Sequence, residues 1–351
     1  MPETIAVRPG EELNADSLAD YLSGRIGIAH HEISIDQFPG GSSNLTYLLR
    51  LGDEEFVLRR PPFGNTVRSA HDMKREYSVL AKLSRVYPPA PRPILFCDDE
   101  AVIGSEFYLM ERRRGMVLRA ESPAELGRST DLQRQVCRCF IDNLARLHSL
   151  DFESAGLGGI GRPEGYARRQ VEGWTKRYFD AKTDEHLELE NAIEWLNQNI
   201  PTESGASLVH NDYKFDNVML DPDDPTQIVA VLDWEMVTIG DPLMDLGTTL
   251  GYWIGREGGE EMLNMPFNPR VLRENVSRRE LVAMYADSSG RDVSNILYYY
   301  VFGLFKIAVI AQQIYLRYVK EFTRDERFAR LDRIVHGIGL IAARSISCEQ
   351  I

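Results

Sequence analysis

Leu208-Val209-His210-Asn211-Asp212-Tyr213-Lys214-Phe215-Asp216-Asn217-Val218-Met219-Leu220 has the spacing H-x-D-x-x-x-x-N. It runs into Asp221-Pro222-Asp223-Asp224-Pro225, a strong turn signal. Ile228-Val229-Ala230-Val231-Leu232 then reads as a buried strand that ends at Asp233. As two antiparallel strands of one hairpin, 218–221 and 228–232 place Asn217 and Asp233 at the same end. An amide oxygen and a carboxylate then converge where a hard cation takes oxygen ligands. Asp212 lies on the loop that feeds that end, where a carboxylate can accept the proton of an attacking hydroxyl.

Outward from this hairpin, the two halves of the chain differ. Upstream, Ile33 and Ile35 alternate toward Phe38, and a turn Pro39-Gly40-Gly41-Ser42-Ser43-Asn44 follows. Leu45, Tyr47, Leu49 and Leu51 recur at period two, which predicts a strand; Phe56 to Arg60 is the next one, and Pro61-Pro62 ends it. Residues 70–86 predict a helix with Met73, Tyr77, Leu80 and Leu83 on one face, and short strands follow at 94–97 and 107–111. Asn14 caps a short predicted helix over 15–25. From Leu132 onward the spacing is mainly helical: 131–150, 163–180 and 184–199 before the hairpin, and again from Asp241 to the end. Asp241 as N-cap with Pro242 at the first helical position opens that last part. The sequence therefore predicts an N-terminal helical extension over 1–30, a strand-rich part over 31–112 and a helical part over 113–351 that contains the hairpin.

Composition sets the limits. Of 351 residues, 43% are hydrophobic and 26% charged, as in soluble globular proteins. The net charge of -13 disfavours a grip on nucleic acid or on an anionic membrane. Four cysteines make no disulfide framework and suit a reducing, cytoplasmic setting. The polar segment from Met1 to Asp16 lacks a signal peptide's apolar stretch. Residues 296–316 are long and apolar, but Lys306, Gln312 and Gln313 mark a core helix rather than a membrane span. No G-x-S-x-G or H-E-x-x-H occurs, so hydrolase chemistry of those kinds has no footing.

The loop and hairpin resemble the catalytic loop of protein kinases and of the aminoglycoside phosphotransferase and choline kinase-like superfamily. Asp212 matches the catalytic base, Asn217 one metal ligand and Asp233 the other, in Leu-Asp-Trp-Glu. The Trp form looks like the small-molecule kinase branch. No Ala-Pro-Glu follows Asp233, and a helix begins within about ten residues, which leaves little room for a polypeptide-docking activation loop. Upstream, Gly41, Ser42, Ser43 and Asn44 match the phosphate-covering turn, where small residues let backbone N–H groups approach. Arg59 stands where a lysine usually pairs the phosphates, and Glu76 matches the glutamate that orients that cation. Arg60 is the alternative if the register shifts by one residue, although alternation would then turn it to the other face. Met110, Glu111 and Arg112 match the hinge whose backbone holds adenine.

Gly41-Ser42-Ser43-Asn44-Leu45-Thr46-Tyr47, Leu58-Arg59-Arg60-Pro61-Pro62 and the apolar 298–318 helix look most like the kinase-like domain related to that fused to some acyl-CoA dehydrogenases. In that branch arginine at the lysine position is usual. The resemblance implies an α+β, two-lobed protein-kinase-like fold: a small antiparallel-sheet N-lobe and a larger, mainly helical C-lobe. It implies ATP and Mg²⁺ and a small hydroxylated acceptor: a hydroxy acid or hydroxyacyl thioester, an aminoglycoside or an amino alcohol. Asp245 would brace the catalytic loop, and His210 is expected to pack behind it. Lys214 either reaches the γ-phosphate or is solvated. Trp234, Glu235, Tyr252, Trp253, Tyr299 and Lys306 are candidates for reading the acceptor. A pseudokinase that binds nucleotide without turnover is the competing expectation, and monomer or homodimer both remain open.

Overall fold

The computed structural model describes residues 3–26, 33–39, 44–63, 72–119, 123–258, 262–263, 268–323 and 325–351. The chain divides into two compact units, Met1–Arg114 with Ala230–Glu235, and Gly115–Val229 with Met236–Ile351.

The first unit is built on five antiparallel strands: β1 (Ile33–Gln37), β2 (Leu45–Leu51), β3 (Glu54–Arg60), β4 (Pro93–Cys97) and β5 (Phe107–Glu111), in the order β1-β2-β3-β5-β4. Period-two alternation places Leu45, Tyr47, Leu49 and Leu51 on one buried face with Phe56, Leu58, Phe107 and Leu109. Leu18 and Leu22 of helix Ala15–Leu22 enter the same core. Residues 3–26 group with this unit, and Leu18 and Leu22 are fully buried in its core. Ala230–Glu235 also joins this unit, although sequence order put it with the helical part. Val231 N–H donates to Pro89 O at 2.8 Å, and the Trp234 ring meets Tyr87 edge-on at 5.9 Å.

Helix Met73–Leu83 starts at the Asp72 cap and buries Met73, Glu76, Val79, Leu80 and Leu83. The buried stripe thus runs through Glu76, not through Tyr77 as the apolar pattern predicted. An acidic side chain in an apolar stripe requires a buried partner.

The second unit carries two small sheets and most of the helices. Ser207–Val209 pairs antiparallel with Thr238–Gly240. Met116–Val117 pairs antiparallel with Val218–Leu220 in the other, and Asp221 N–H bonds Gln227 O at 2.9 Å to close the predicted turn. Helices Thr130–His148, Tyr166–Ala181, Leu187–Gln198, Pro242–Gly251, Arg278–Ser289, Ile296–Val319 and Leu331–Cys348 surround them. Asp241 caps helix Pro242–Gly251, its carboxylate accepting from Leu243 N–H. Among the described residues, Ile296–Val319 is the one helix long and apolar enough to cross a membrane. It is instead a core helix, packed against helices Pro242–Gly251, Tyr166–Ala181, Leu187–Gln198 and Leu331–Cys348. Gln312 within it donates through Nε2 to Ala181 O at 2.9 Å and to Thr183 Oγ1 at 2.8 Å, so its amide donors are used inside the unit.

Candidate active site

In the second unit, the catalytic-loop stretch alternates like a strand although it is a loop. Tyr213 and Phe215 point inward and are fully buried, and both stack on Phe140, at 4.5 and 4.1 Å between ring centroids. Asp212, Lys214 and Asp216 take the other side. The backbone is fixed from below: Thr249 Oγ1 donates to Tyr213 O at 2.9 Å, and Phe215 N–H donates to Asn268 Oδ1 at 3.1 Å.

The Asp212 carboxylate receives three donors. Lys214 Nζ lies 2.5 Å and Asn217 Nδ2 2.9 Å from Oδ2, while the Tyr252 hydroxyl donates to Oδ1 at 3.0 Å. Burial alone would raise the Asp212 pKa; the Lys214 ammonium, helped by Lys306 and His210, outweighs it and holds the carboxyl below its ordinary value. Asp212 is thus ionised, as a proton acceptor must be. Burial pushes the Tyr252 hydroxyl pKa far up, so that group stays a donor.

Behind the loop, Asp245 accepts from the backbone N–H groups of His210 at 2.6 Å and Asn211 at 2.7 Å. His210 is fully buried, its Nδ1 3.3 Å from Asp212 N. His148, which the sequence reading missed, bridges Asp245 Oδ2 at 3.1 Å and the Tyr285 hydroxyl at 2.7 Å. Burial would raise the Asp245 pKa, and His148 overcomes this to keep it lowered. Only the pairing of a helix-terminal histidine with a distant aspartate signals this contact, and no periodicity reveals it.

In the first unit, Arg59 Nη1 lies 3.2 Å from Glu76 Oε1, and Arg59 Nη2 lies 3.0 Å from Asp233 Oδ1 and 3.8 Å from Glu235 Oε2. Burial works against the Arg59 charge, and Glu76, Asp233 and Glu235 more than restore it. Burial also raises the Glu76 pKa, with Arg59 opposing. Removing one member of such a buried pair costs about 3–5 kcal/mol, because the other is left charged and alone. Arg60 points away, donating to Ile103 O and Pro61 O, as strand alternation requires. Glu235 Oε2 accepts from Asn44 Nδ2 at 2.8 Å, which ties the end of the glycine-rich turn to the Asp233 segment. Gly41, Ser42 and Ser43 lie outside the described residues.

Of the hinge residues, Met110 is buried, Glu111 pairs with Arg113 at 2.8 Å, and Arg112 pairs with Glu3 at 2.6 Å and Glu55 at 3.1 Å. Their side chains are committed to the protein. Of the acceptor-reading candidates, Trp234 packs on Tyr87, Trp253 donates to Val276 O, and Tyr299 donates to Asp241; all three are core residues. Glu235 serves Asn44, Tyr252 and Lys306 hydrogen-bond to the loop, and the Trp253 ring lies 6.2 Å from that of Phe215.

Of the two residues expected at a cation, Asn217 belongs to the second unit and Asp233 to the first. Both Asn217 Nδ2 bonds go to Asp212, to its O and Oδ2 at 2.9 Å each, which turns the Asn217 amide oxygen away from Asp212. Asp233 lies two residues past the end of the strand Ile228–Val231, at φ 66°, a conformation L-residues rarely adopt, with its side chain one-third exposed. Among the described residues no three His, Cys, Asp or Glu side chains gather into a complete metal set.

A family model described as the phosphotransferase enzyme family matches residues 34–268. The chain belongs to that family. Acyl-CoA dehydrogenase family member 11 of Gallus gallus is 33% identical over 368 residues, covering 100% of this chain and 46% of the relative, so the chain spans less than half of that protein's length. A solved Ralstonia eutropha JMP134 protein assigned as an aminoglycoside phosphotransferase is 28% identical, with a TM-score of 0.78, covering 95% of this chain and 99% of that one. A thermostable aminoglycoside phosphotransferase mutant, solved with AMP-PNP and hygromycin B, shares the fold at 13% identity and a TM-score of 0.59, covering 94% and 98%. The fold is kinase-like, with a small antiparallel-sheet N-terminal region and a mostly helical remainder.

Proposed function

We propose that the chain moves the γ-phosphoryl group of ATP to a hydroxyl of a small molecule, with Asp212 as the base. The observation that carries this reading is the Asp212 carboxylate, held ionised by Lys214, Asn217 and Tyr252 on the loop of a phosphotransferase-family chain. Asp212 takes the acceptor hydroxyl proton, the acceptor oxygen bonds to the γ-phosphorus, and the bond to the β–γ bridging oxygen breaks to leave ADP. Lys214 faces the same carboxylate and is placed to neutralise charge beside it. Asn217 and Asp233 would hold Mg²⁺, which when bound neutralises phosphate charge. Arg59, oriented by Glu76, serves the phosphates in place of the usual lysine, and its intact ion pair supports turnover over a pseudokinase.

The acceptor is a hydroxy acid or hydroxyacyl thioester in the first instance, because the similar proteins include acyl-CoA dehydrogenase family members; aminoglycosides and amino alcohols come next. The net charge of -13 supports a small-molecule partner over nucleic acid or membrane, and four free cysteines support a cytoplasmic setting. The test is ATP calorimetry with Mg²⁺ and then with chelator. Mg²⁺-dependent binding is expected, and absence of binding in both conditions would overturn the reading. Asp233→Ala should weaken Mg²⁺-dependent binding by about tenfold or more. Wild-type affinity in excess Mg²⁺ would remove Asp233 as a ligand.

A further inference from the structure

Asn211, between His210 and Asp212, has φ 68°, in the left-handed region that favours glycine. Every polar group it owns is tied. Its N–H donates to Asp245 Oδ1 at 2.7 Å, and its carbonyl accepts from Lys306 Nζ at 2.5 Å. Its side-chain oxygen accepts from the Tyr166 hydroxyl at 3.0 Å, and its Nδ2 donates to Met236 O at 3.0 Å. Asp245, Lys306 and Tyr166 come from three different helices: Pro242–Gly251, Ile296–Val319 and Tyr166–Ala181. A strained conformation persists only where its surroundings over-determine it, and here they do.

Lys306 and Tyr166 are 2% and 3% exposed, so neither is placed to read a ligand from solvent. Their approach is built in: a Cβ at Gly240 would lie 2.6 Å from the Tyr166 ring, so glycine at 240 makes room for Tyr166. Burying a lysine to hold one carbonyl is costly. An ammonium, unlike a neutral donor, holds that carbonyl through a charge-assisted bond, and its charge also acts on Asp212 and Asp245.

We propose that Lys306 and Tyr166 are positioning residues: by locking Asn211 in its left-handed conformation they fix the direction in which the next residue, Asp212, presents its carboxylate. This rests on the phosphotransferase reading. The groups that act on Lys306 are Asp212 and Lys214 on the loop, Asp245 on helix Pro242–Gly251 and Arg177 on helix Tyr166–Ala181, with the Trp174 ring 5.5 Å from Nζ. Burial pulls its pKa down to about 8, with Asp212 and Asp245 opposing the shift. Above that pH the ammonium becomes an amine, and its bond to the Asn211 carbonyl loses its charge assistance. The grip on the loop therefore slackens as pH rises through about 8.

The experiment measures Mg-ATP hydrolysis to ADP, with water as the acceptor, from pH 6.5 to 9.5 in wild type, Lys306→Met and Tyr166→Phe. Wild type should show a basic limb in kcat. Lys306→Met should lose the limb and fall about tenfold or more in kcat with KM for ATP unchanged, the mark of a displaced base. Tyr166→Phe should lower kcat, leave KM alone and keep the limb. Wild-type kcat and limb in Lys306→Met, or wild-type kcat in Tyr166→Phe, overturn the corresponding role. Tyr166→Phe also keeps the proposal testable if Lys306→Met does not fold.

A wild type without hydrolysis would instead count against the phosphotransferase reading, and the anchor is then judged by stability. Between about pH 8 and 10.5 the unfolded chain holds the Lys306 proton and the folded one does not, so raising pH favours folding at this site. The Tm of wild type relative to Lys306→Met should rise from pH 7 to 9.5. A flat difference overturns the anchor itself.

Discussion

Asp212→Asn is expected to lower kcat for phosphoryl transfer by about 10²- to 10⁴-fold while ATP still binds. The substituted amide keeps one oxygen to accept from Tyr252 or Lys214, so the side chain fits the same space. What it loses is the charge and the ability to take a proton. Asp212 is held below its ordinary carboxyl pKa, so across neutral pH the wild-type base is fully ionised and the variant has nothing equivalent. The acid limb of kcat/KM in wild type should accordingly lie below about pH 4, under the ordinary carboxylate value. Mg-ATP affinity, read by calorimetry alongside turnover, separates loss of the base from loss of the fold. Turnover at the wild-type rate in Asp212→Asn would remove Asp212 as the base.

Much of this site could be read before any coordinates because its residues are local. H-x-D-x-x-x-x-N lies on one loop whose odd and even positions alternate between aromatic and charged, and burial of Tyr213 and Phe215 turns that alternation into geometry. Strand periodicity likewise separated Arg59 from Arg60, because adjacent side chains on β3 must point to opposite faces. What stayed hidden depends on contacts between residues far apart in sequence. Lys306 and Asn211 are 95 residues apart, and His148 and Asp245 are 97 apart. Helical spacing shows that Lys306 sits among buried residues, but not which carbonyl it will find. Glu76 is intermediate: the resemblance paired it with Arg59, but the apolar pattern did not mark it as buried, and only the buried cation makes that burial tolerable. The burial of the N-terminal helix is not legible from the sequence, because eight residues carry few apolar positions and their burial depends on the sheet they pack against.

Gly303→Ala should destabilise the second unit by about 2 kcal/mol or more, the cost of overpacking less the gain of alanine in a helix. An added Cβ would lie 2.0 Å from Gly247 O, 2.5 Å from Gly247 C and 3.0 Å from Thr248 Cα. All three are backbone atoms, so no side-chain rotamer relieves the clash. The reverse contact is as close: a Cβ at Gly247 would sit 2.1 Å from Tyr299 O, and one at Gly251 2.8 Å from Gly303 C. Gly247 and Gly251 lie four apart on one helix, as do Tyr299 and Gly303 on the other, so facing rows meet backbone to backbone. Relief requires the two helices to part. One of them carries Asp245 and leads into Tyr252, while the other carries Lys306. Separation therefore pulls apart the groups that hold Asn211 and Asp212. The Tm of Gly303→Ala should drop by about 4 °C or more. The folded fraction should also turn over more slowly, a loss that correcting for unfolded protein does not restore. Gly173→Ala is the control: it is also mid-helix, but its nearest neighbour is the flexible end of Arg177 at 3.9 Å, and it should be neutral or stabilising. Equal melting of Gly303→Ala and wild type would mean that the helices do not approach this closely, and that something else places Lys306 against the catalytic loop.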